Sequence, residues 1–359
     1  MRVAIRVDAS NEIGTGHFVR CLTLADALRQ RGAIVRFISR HLPEYLRVTS
    51  RDRGHEVVAI AGAPSPEVDD DLPHSHFLGT SQAADVEHTA HAVSDHSWDW
   101  MIVDHYGLDA QWEHALGGVA RRILVIDDLA DRRHDCHVLL DQNLYADMHT
   151  RYRGLVPESC VTLLGPGYAI LREEFRRARA GGTLRPGPIE RVLVFFGGVD
   201  VDNYTARAIE ALIAVEIPEL RVDVVIGVSH PHRRQIESAC AAAGFACHVQ
   251  TDRMAELMAA ADVAIGAGGS ASWERCCLGL PTICVTTAAH QRAIGEGLQA
   301  RGALVMVPAE RPVTAKSLSD AVSSLVRHPD RVRSMSCAAR ELVDGVGVDR
   351  VCDRLMQAA

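Results

Sequence analysis

The stretch VAIRVDASNEIGTGHFVRCLTLADALRQRG, residues 3–32, decides how the chain is read. Apolar residues fill Val3–Val7, the segment Ile13–His17 then carries Gly14, Gly16 and a histidine, and Phe18, Cys21, Leu22, Ala25 and Leu28 recur at helical spacing until Gly32. A strand that runs through a glycine turn into an amphipathic helix is the repeating motif of a parallel sheet. The turn itself admits several uses. A dinucleotide fingerprint would need glycine at position 19, which is Val19, and an acidic residue after the second strand, which reads FISRHL. No G-x-x-x-x-G-K-[ST] phosphate loop occurs either. What remains is His17, in the first turn of a helix at a strand end. It is either a general base acting in its neutral form near pH 7 or a structural histidine.

The same alternation continues along the chain. β-Branched runs predict strands at Val3–Val7, Ile34–Ser39, Val57–Ile60, Met101–Asp104, Ile123–Ile126, Val138–Leu140 and Val161–Leu164. A second set falls at Val192–Phe196, Val222–Ile226, Cys247–Val249, Val263–Gly266, Thr282–Val285 and Leu304–Val307. Helical patterns separate them, so the expectation is an α/β protein of two Rossmann-like parallel-sheet domains with the ligand cleft between them. RARAGGTLRPGPIERV supplies a linker at residues 181–190, which divides the chain into 1–180 and 191–345. AGAPSPEVDDDLPH reads as a surface loop inside the first domain.

Composition bounds the function. The 359 residues suffice for two domains, and 47% hydrophobic with 23% charged residues is ordinary for a soluble globular chain. A net charge of −8 argues against nucleic acid or an anionic membrane surface as the main partner. Backbone N–H groups can still hold phosphate on an acidic protein. The 10 cysteines are scattered, with no C-x-x-C pair, and no apolar run approaches the roughly 20 residues that span a bilayer. The expectation is therefore a cytoplasmic monomer with reduced thiols and no membrane partner.

Four further segments could carry chemistry. ADVAIGAGGSASWERCCLGLPTICV ends a strand in Gly266, Gly268, Gly269 and Ser270, and a helix starts near Ser272, an arrangement suited to a diphosphate. Glu274 there either accepts hydrogen bonds from ribose hydroxyls or is a first-turn acid. VFFGGVDVDN places Gly197 and Gly198 at another strand end, with Asp200 as a candidate cap. In VDHYGLDAQWE, Asp104, His105 and Tyr106 stand where a ligand would reach, or form a polar loop. Asp131, His134, Asp135, Cys136 and His137 resemble metal ligands in type but lack the spacing of a zinc site, so a solvated loop is expected and no metal.

Taken in order, RVDASNEIGTGHFVRCLTLADAL, DHYGLDAQWE, IDDLADRRHDCHVLLDQN, LLGPGYAILREEF, FFGGVD and GAGGSASWERCCLGLP resemble the pseudaminic acid pathway hydrolases of the PseG family. The resemblance runs from the first strand to about residue 295. It implies a GT-B-like fold, with a final helix near Val346–Met356 (in residues 346–359) crossing back to the first domain. It also implies release of UDP from a 2,4-diacetamido-2,4,6-trideoxy-altrose nucleotide without metal or cofactor, as water inverts the anomeric carbon. The family's histidine falls on His17 as base, and its nucleotide site on Gly269, Ser270 and Glu274, with Gln291 near the phosphates or sugar. By analogy the uracil pocket involves the loop from Thr251 to Met254. Apart from the resemblance, Gly14, Gly16, Tyr106 and Gly198 are expected at the substrate from their places at the strand ends. Asp8 is set to orient His17 or bind the sugar. Where family members commonly carry asparagine before the glutamine, this chain has His290, a change that bears on which UDP-sugar is taken. A glycosyltransferase that needs an acceptor and a nucleotide-sugar binding protein without turnover remain alternatives.

Overall fold

The computed structural model describes residues 1–10, 12–60, 72–287, 289–308 and 312–358, the side chains of Ala289 and His290 apart. The segment at 61–71, expected as a surface loop, lies outside these residues. The chain forms two compact units. Unit 1 comprises Met1–Asn143, Asp147–Ile170 and Val346–Ala359, and unit 2 comprises Leu144–Ala146 and Leu171–Gly345. Apart from Leu144–Ala146, the chain enters unit 2 at Leu171, ahead of the glycine-proline segment at 181–190.

In unit 1 the strands are β1 (Arg2–Val7), β2 (Ile34–Ser39), β3 (Glu56–Ala59), β4 (Trp98–Asp104), β5 (Ala120–Ile126), β6 (Val138–Asp141) and β7 (Val161–Leu164). They lie in the order β3-β2-β1-β4-β5-β6-β7, and every pairing is parallel. The helices α1 (Gly16–Gln30), α2 (Glu44–Asp52), α3 (Gln82–Ala92) and α4 (Ala110–Ala115) accompany them. Both faces of β1 are covered. Val3, Ile5 and Val7 enter one core with Phe18, Leu24 and Leu28 of α1, and Ala4 enters the other with Ile38, Met101 and Trp112. Each such Leu or Phe contributes about 1.5–3 kcal/mol by burial.

Unit 2 repeats the plan with β8 (Arg191–Phe195), β9 (Arg221–Ile226), β10 (Ala246–Val249), β11 (Val263–Ala267), β12 (Thr282–Val285) and β13 (Leu304–Met306). Their order is β10-β9-β8-β11-β12-β13, again all parallel. Its helices are α5 (Glu173–Gly181), α6 (Tyr204–Ala214), α7 (Arg233–Ala243), α8 (Met254–Ala260), α9 (Ala271–Cys277), α10 (Ala289–Ala300), α11 (Ala315–Val326) and α12 (Pro329–Leu342). The last helix, α13 (Gly347–Gln357), belongs to unit 1. Its Val351, Cys352 and Leu355 join the α1 core, and Trp100 Nε1 donates to Leu355 O at 3.1 Å. Among the described residues no helix is long and apolar enough to cross a membrane.

In each sheet the strand order reverses once, between β1 and β4 and between β8 and β11. Beyond the carboxyl ends of such a pair the flanking loops diverge and leave a crevice, where α/β sheets bind ligands.

Candidate active site

At the switch point of unit 1, Ser10 shapes the loop that leads to His17. Its Oγ accepts from Glu12 N and Ile13 N, and its carbonyl accepts from Gly14 N at 2.9 Å. Gly14 turns there at φ +80°, with open space where a Cβ would stand, and α1 begins at Gly16. His17 follows, and its ring meets Asp104, the last residue of β4, with Nδ1 2.6 Å from Oδ1. Two bare acceptors would repel at that distance, so Nδ1 carries the proton and donates it to the carboxylate. In the neutral imidazole the lone pair is then on Nε2.

Asp104 is fully buried and is itself gripped by Arg20, one turn along α1. Arg20 Nε donates to Oδ2 at 2.6 Å and Nη2 to Oδ1 at 2.7 Å, a two-pronged pairing. Burial opposes ionisation of this carboxyl, but Arg20 and His17 override it and hold it far below the usual carboxylate range. Arg20 Nη1 reaches Asp128 at 3.1 Å, and the Tyr106 hydroxyl donates to the same carboxylate. The Tyr106 ring stands edge-on to His17 with 4.6 Å between centroids, and burial pushes its hydroxyl pKa up.

Asp8 does not take the orienting role expected of it. It is fully buried on the Ala4–Arg6 face of β1, where it pairs with Arg6 Nη1 at 2.9 Å and accepts from Arg40 N and His41 N. Arg6 is held in turn by a two-pronged contact with Asp85. Alternation along the strand puts residues 6 and 8 on one side, and the buried guanidinium claims the carboxylate.

The expected solvated loop at Asp131–His137 is exposed at Asp131, Arg133 and His137 and buried at Arg132, His134 and Cys136. His134 is 3% exposed and bonds Glu113 at 2.7 Å, while Cys136 is 4% exposed. Asp131 pairs with Arg132, Asp135 with His114, and His137 Nδ1 accepts from Ile123 N. These side chains have separate partners rather than one centre.

At the switch point of unit 2, β11 runs into the turn Gly268–Ser270 before α9. A Cβ on Gly266 would run into the Phe195 carbonyl and stand 2.9 Å from Arg275 Nη1. Arg275, itself buried, donates from Nη2 to Ala267 O at 2.6 Å and to Ser272 Oγ at 3.0 Å, so a cation underlies the turn. Burial pushes its pKa down. Gln291 of α10 lies against the turn: its Nε2 is 3.6 Å from where a Cβ on Gly269 would stand, and its Oε1 accepts from Thr287 N and Oγ1. Glu274 is in the first turn of α9, half-buried, with Oε1 3.3 Å from Arg172 Nη2; burial raises its pKa and Arg172 works against that.

The turn Gly197–Gly198 leaves the neighbouring strand β8 at φ +97° for Gly197, and a Cβ on Gly227 would strike the Gly198 carbonyl. Asp200 does cap α6, accepting from Tyr204 N and Thr205 N. Thr251 Oγ1 accepts from Arg253 N before α8, where Met254 is buried. His290 stands in the first turn of α10, and its side chain is outside the described residues.

Sequence reasoning missed Arg20, Asp128, Arg172 and Arg275, and set Asp104 within reach of a ligand or in a polar loop without pairing it with His17. Arg20 had a signal, since it follows His17 by three residues and shares its helix face.

Four likenesses bear on the chain. Residues 192–346 match the glycosyltransferase family 28 C-terminal domain. The spore coat polysaccharide biosynthesis protein SpsG of Bacillus subtilis is 25% identical over 359 residues, which covers 98% of this chain and 96% of that protein. The UDP-2,4-diacetamido-2,4,6-trideoxy-beta-L-altropyranose hydrolase of Campylobacter jejuni is 26% identical over 245 residues, 66% of this chain and 73% of that one. Among solved structures, Acinetobacter baumannii MurG aligns with a TM-score of 0.65 at 14% identity, covering 99% of this chain and 100% of that one. The chain thus has a GT-B-like fold of two parallel-sheet α/β domains, and the second is similar over residues 192–346 to the glycosyltransferase family 28 C-terminal domain.

Proposed function

We propose that the chain processes a UDP-sugar, and specifically that it hydrolyses UDP-2,4-diacetamido-2,4,6-trideoxy-beta-L-altropyranose with inversion, as a step toward pseudaminic acid. The observation that carries the reading is the Asp104–His17 contact at 2.6 Å, which leaves Nε2 as a proton acceptor at a switch point. The relative from Campylobacter jejuni, whose name states this hydrolysis, supports the choice of substrate. His17 Nε2 takes a proton from water as the water oxygen bonds to C1 of the sugar. The bond from C1 to the phosphate oxygen breaks, UDP leaves with the electron pair, and the proton passes from His17 to solvent. Asp104 stabilises the imidazolium formed in between. In unit 2 the backbone donors at Gly269 and Ser270, with Gln291 beside them, meet the diphosphate, and Glu274 accepts from the ribose hydroxyls. Thr251 and Met254 contribute to the uracil pocket. The protein acts as a cytoplasmic monomer in this reading.

A second reading is a glycosyltransferase in which His17 activates an acceptor hydroxyl, and the family 28 match over residues 192–346 favours it. Turnover of the named UDP-sugar in ¹⁸O-water without acceptor separates the two. Label in the free sugar supports hydrolysis at carbon. Label in UDP means attack at phosphorus and removes the role given to His17. UDP release that requires an added acceptor supports the transferase.

A further inference from the structure

Glu274 does not face the site alone. Arg172, the residue before α5, sets Nη2 3.3 Å from Glu274 Oε1. The same guanidinium is fixed from two other directions: Nη1 meets Glu174 at 2.9 Å, and its carbon lies 5.0 Å above the Phe175 ring. A side chain clamped by an ion pair and an aromatic face is a placed charge rather than a roaming one. The other charges near Glu274 are Arg275 on its own helix and Glu174 from α5, which act in opposite senses, and the Cys277 thiol one turn on. From α12, packed against α9, Arg340 spends a donor on Arg179 O.

The chemistry asked of Glu274 is demanding. A vicinal diol offers two O–H donors, and an ionised carboxylate presents acceptors to both, whereas a protonated carboxyl turns one oxygen into a donor. Burial favours the protonated form. We propose that Arg172 is a positioning residue for nucleotide binding, which keeps Glu274 an ionised double acceptor and aims it at the ribose. This rests on the assignment of Glu274 to the ribose given above. Arg172 touches the carboxylate from its Oε1 side and acts on the nucleotide only through it.

The test is calorimetry of UDP binding to the full chain between pH 5.5 and 8.5, for the wild type, Arg172→Met, Arg172→Lys and Glu274→Gln. The ratio of variant to wild-type affinity at each pH cancels the titration of the diphosphate itself. Arg172→Met is expected to bind UDP about tenfold more weakly at pH 6, because the charge that opposes the effect of burial on Glu274 is gone. The deficit should shrink toward pH 8.5, and Arg172→Lys should restore most of the affinity across the range. Glu274→Gln should be weak at every pH. If Glu274→Gln is weak while Arg172→Met shows a pH-independent ratio, or no deficit, the role of Arg172 is overturned and the ribose assignment stands. If Glu274→Gln binds UDP as the wild type does, the ribose assignment falls and the proposal with it.

Discussion

The two units share a strand order, yet their switch points are furnished in opposite ways. Beyond β1 and β4, unit 1 gathers His17, Asp104, Arg20, Asp128 and Tyr106, joined by contacts of 2.6–3.1 Å. Beyond β8 and β11, unit 2 presents Gly197, Gly198, Gly268 and Gly269, with its cation, Arg275, sunk beneath the turn. A proton acceptor needs fixed charges to set its tautomer. A phosphate site needs bare backbone, because a Cβ would stand where the anion approaches. One topology is therefore furnished differently at a single pair of strand ends, as the two roles proposed above require.

The contrast can be broken most forcefully in unit 1. His17→Ala is expected to lower turnover about 10²–10⁴-fold with UDP affinity unchanged, and Asp104→Asn to come close to it. The amide would leave Arg20 with Asp128 alone as a carboxylate partner and free the imidazole to take the other tautomer. Steady-state kinetics beside UDP calorimetry reads both, and a variant that lost UDP affinity in step with turnover would refute the division of labour. Next comes the glycine contrast. Gly266→Ala should destabilise the protein by about 2–3 kcal/mol in urea unfolding, since its Cβ meets a backbone carbonyl and a buried guanidinium. Gly14→Ala, which meets only open space at φ +80°, should cost about 1 kcal/mol. Equal costs would deny that unit 2 is the more tightly built turn.

The smallest effect is a pH dependence at the edge of the unit 1 cluster. Asp141, at the end of β6, shares the Tyr152 hydroxyl with Asp127; burial and the nearby Asp128 push it up to about 7. A carboxyl raised in the folded state weakens folding as pH rises from its unfolded value near 4 to about 7, because only the unfolded chain ionises across that window. Asp141→Asn removes the cost, so it should melt roughly 2–6 °C above the wild type at pH 8, with the gap closing toward pH 4. A gap independent of pH would place the effect elsewhere.

What was legible in the sequence was local. All thirteen runs read as strands are strands, with ends shifted by a few residues at most; the central ones are nearly uninterrupted apolar segments because they are buried on both faces. The glycine turn at 266–270 and the histidine at the helix start were visible for the same reason: each feature is written in adjacent residues. The partners were not. Asp104 lies 87 positions from His17, and Arg172 lies 102 from Glu274, so their meeting depends on which strands become neighbours. Asp8 illustrates the opposite error. Its place at the end of β1 suggested the crevice, but Arg6, two residues back on the same face, holds it inside.

The return of α13 to unit 1 has a consequence for how the protein is made. Unit 2 is nearly continuous, Leu171–Gly345, and can fold as soon as it emerges from the ribosome. Unit 1 begins 170 residues earlier but must wait, its α1 face and Trp100 uncovered, until Val351, Cys352 and Leu355 arrive. The half synthesised first is therefore completed last, and a fragment ending at residue 170 would expose a core rather than reproduce a domain.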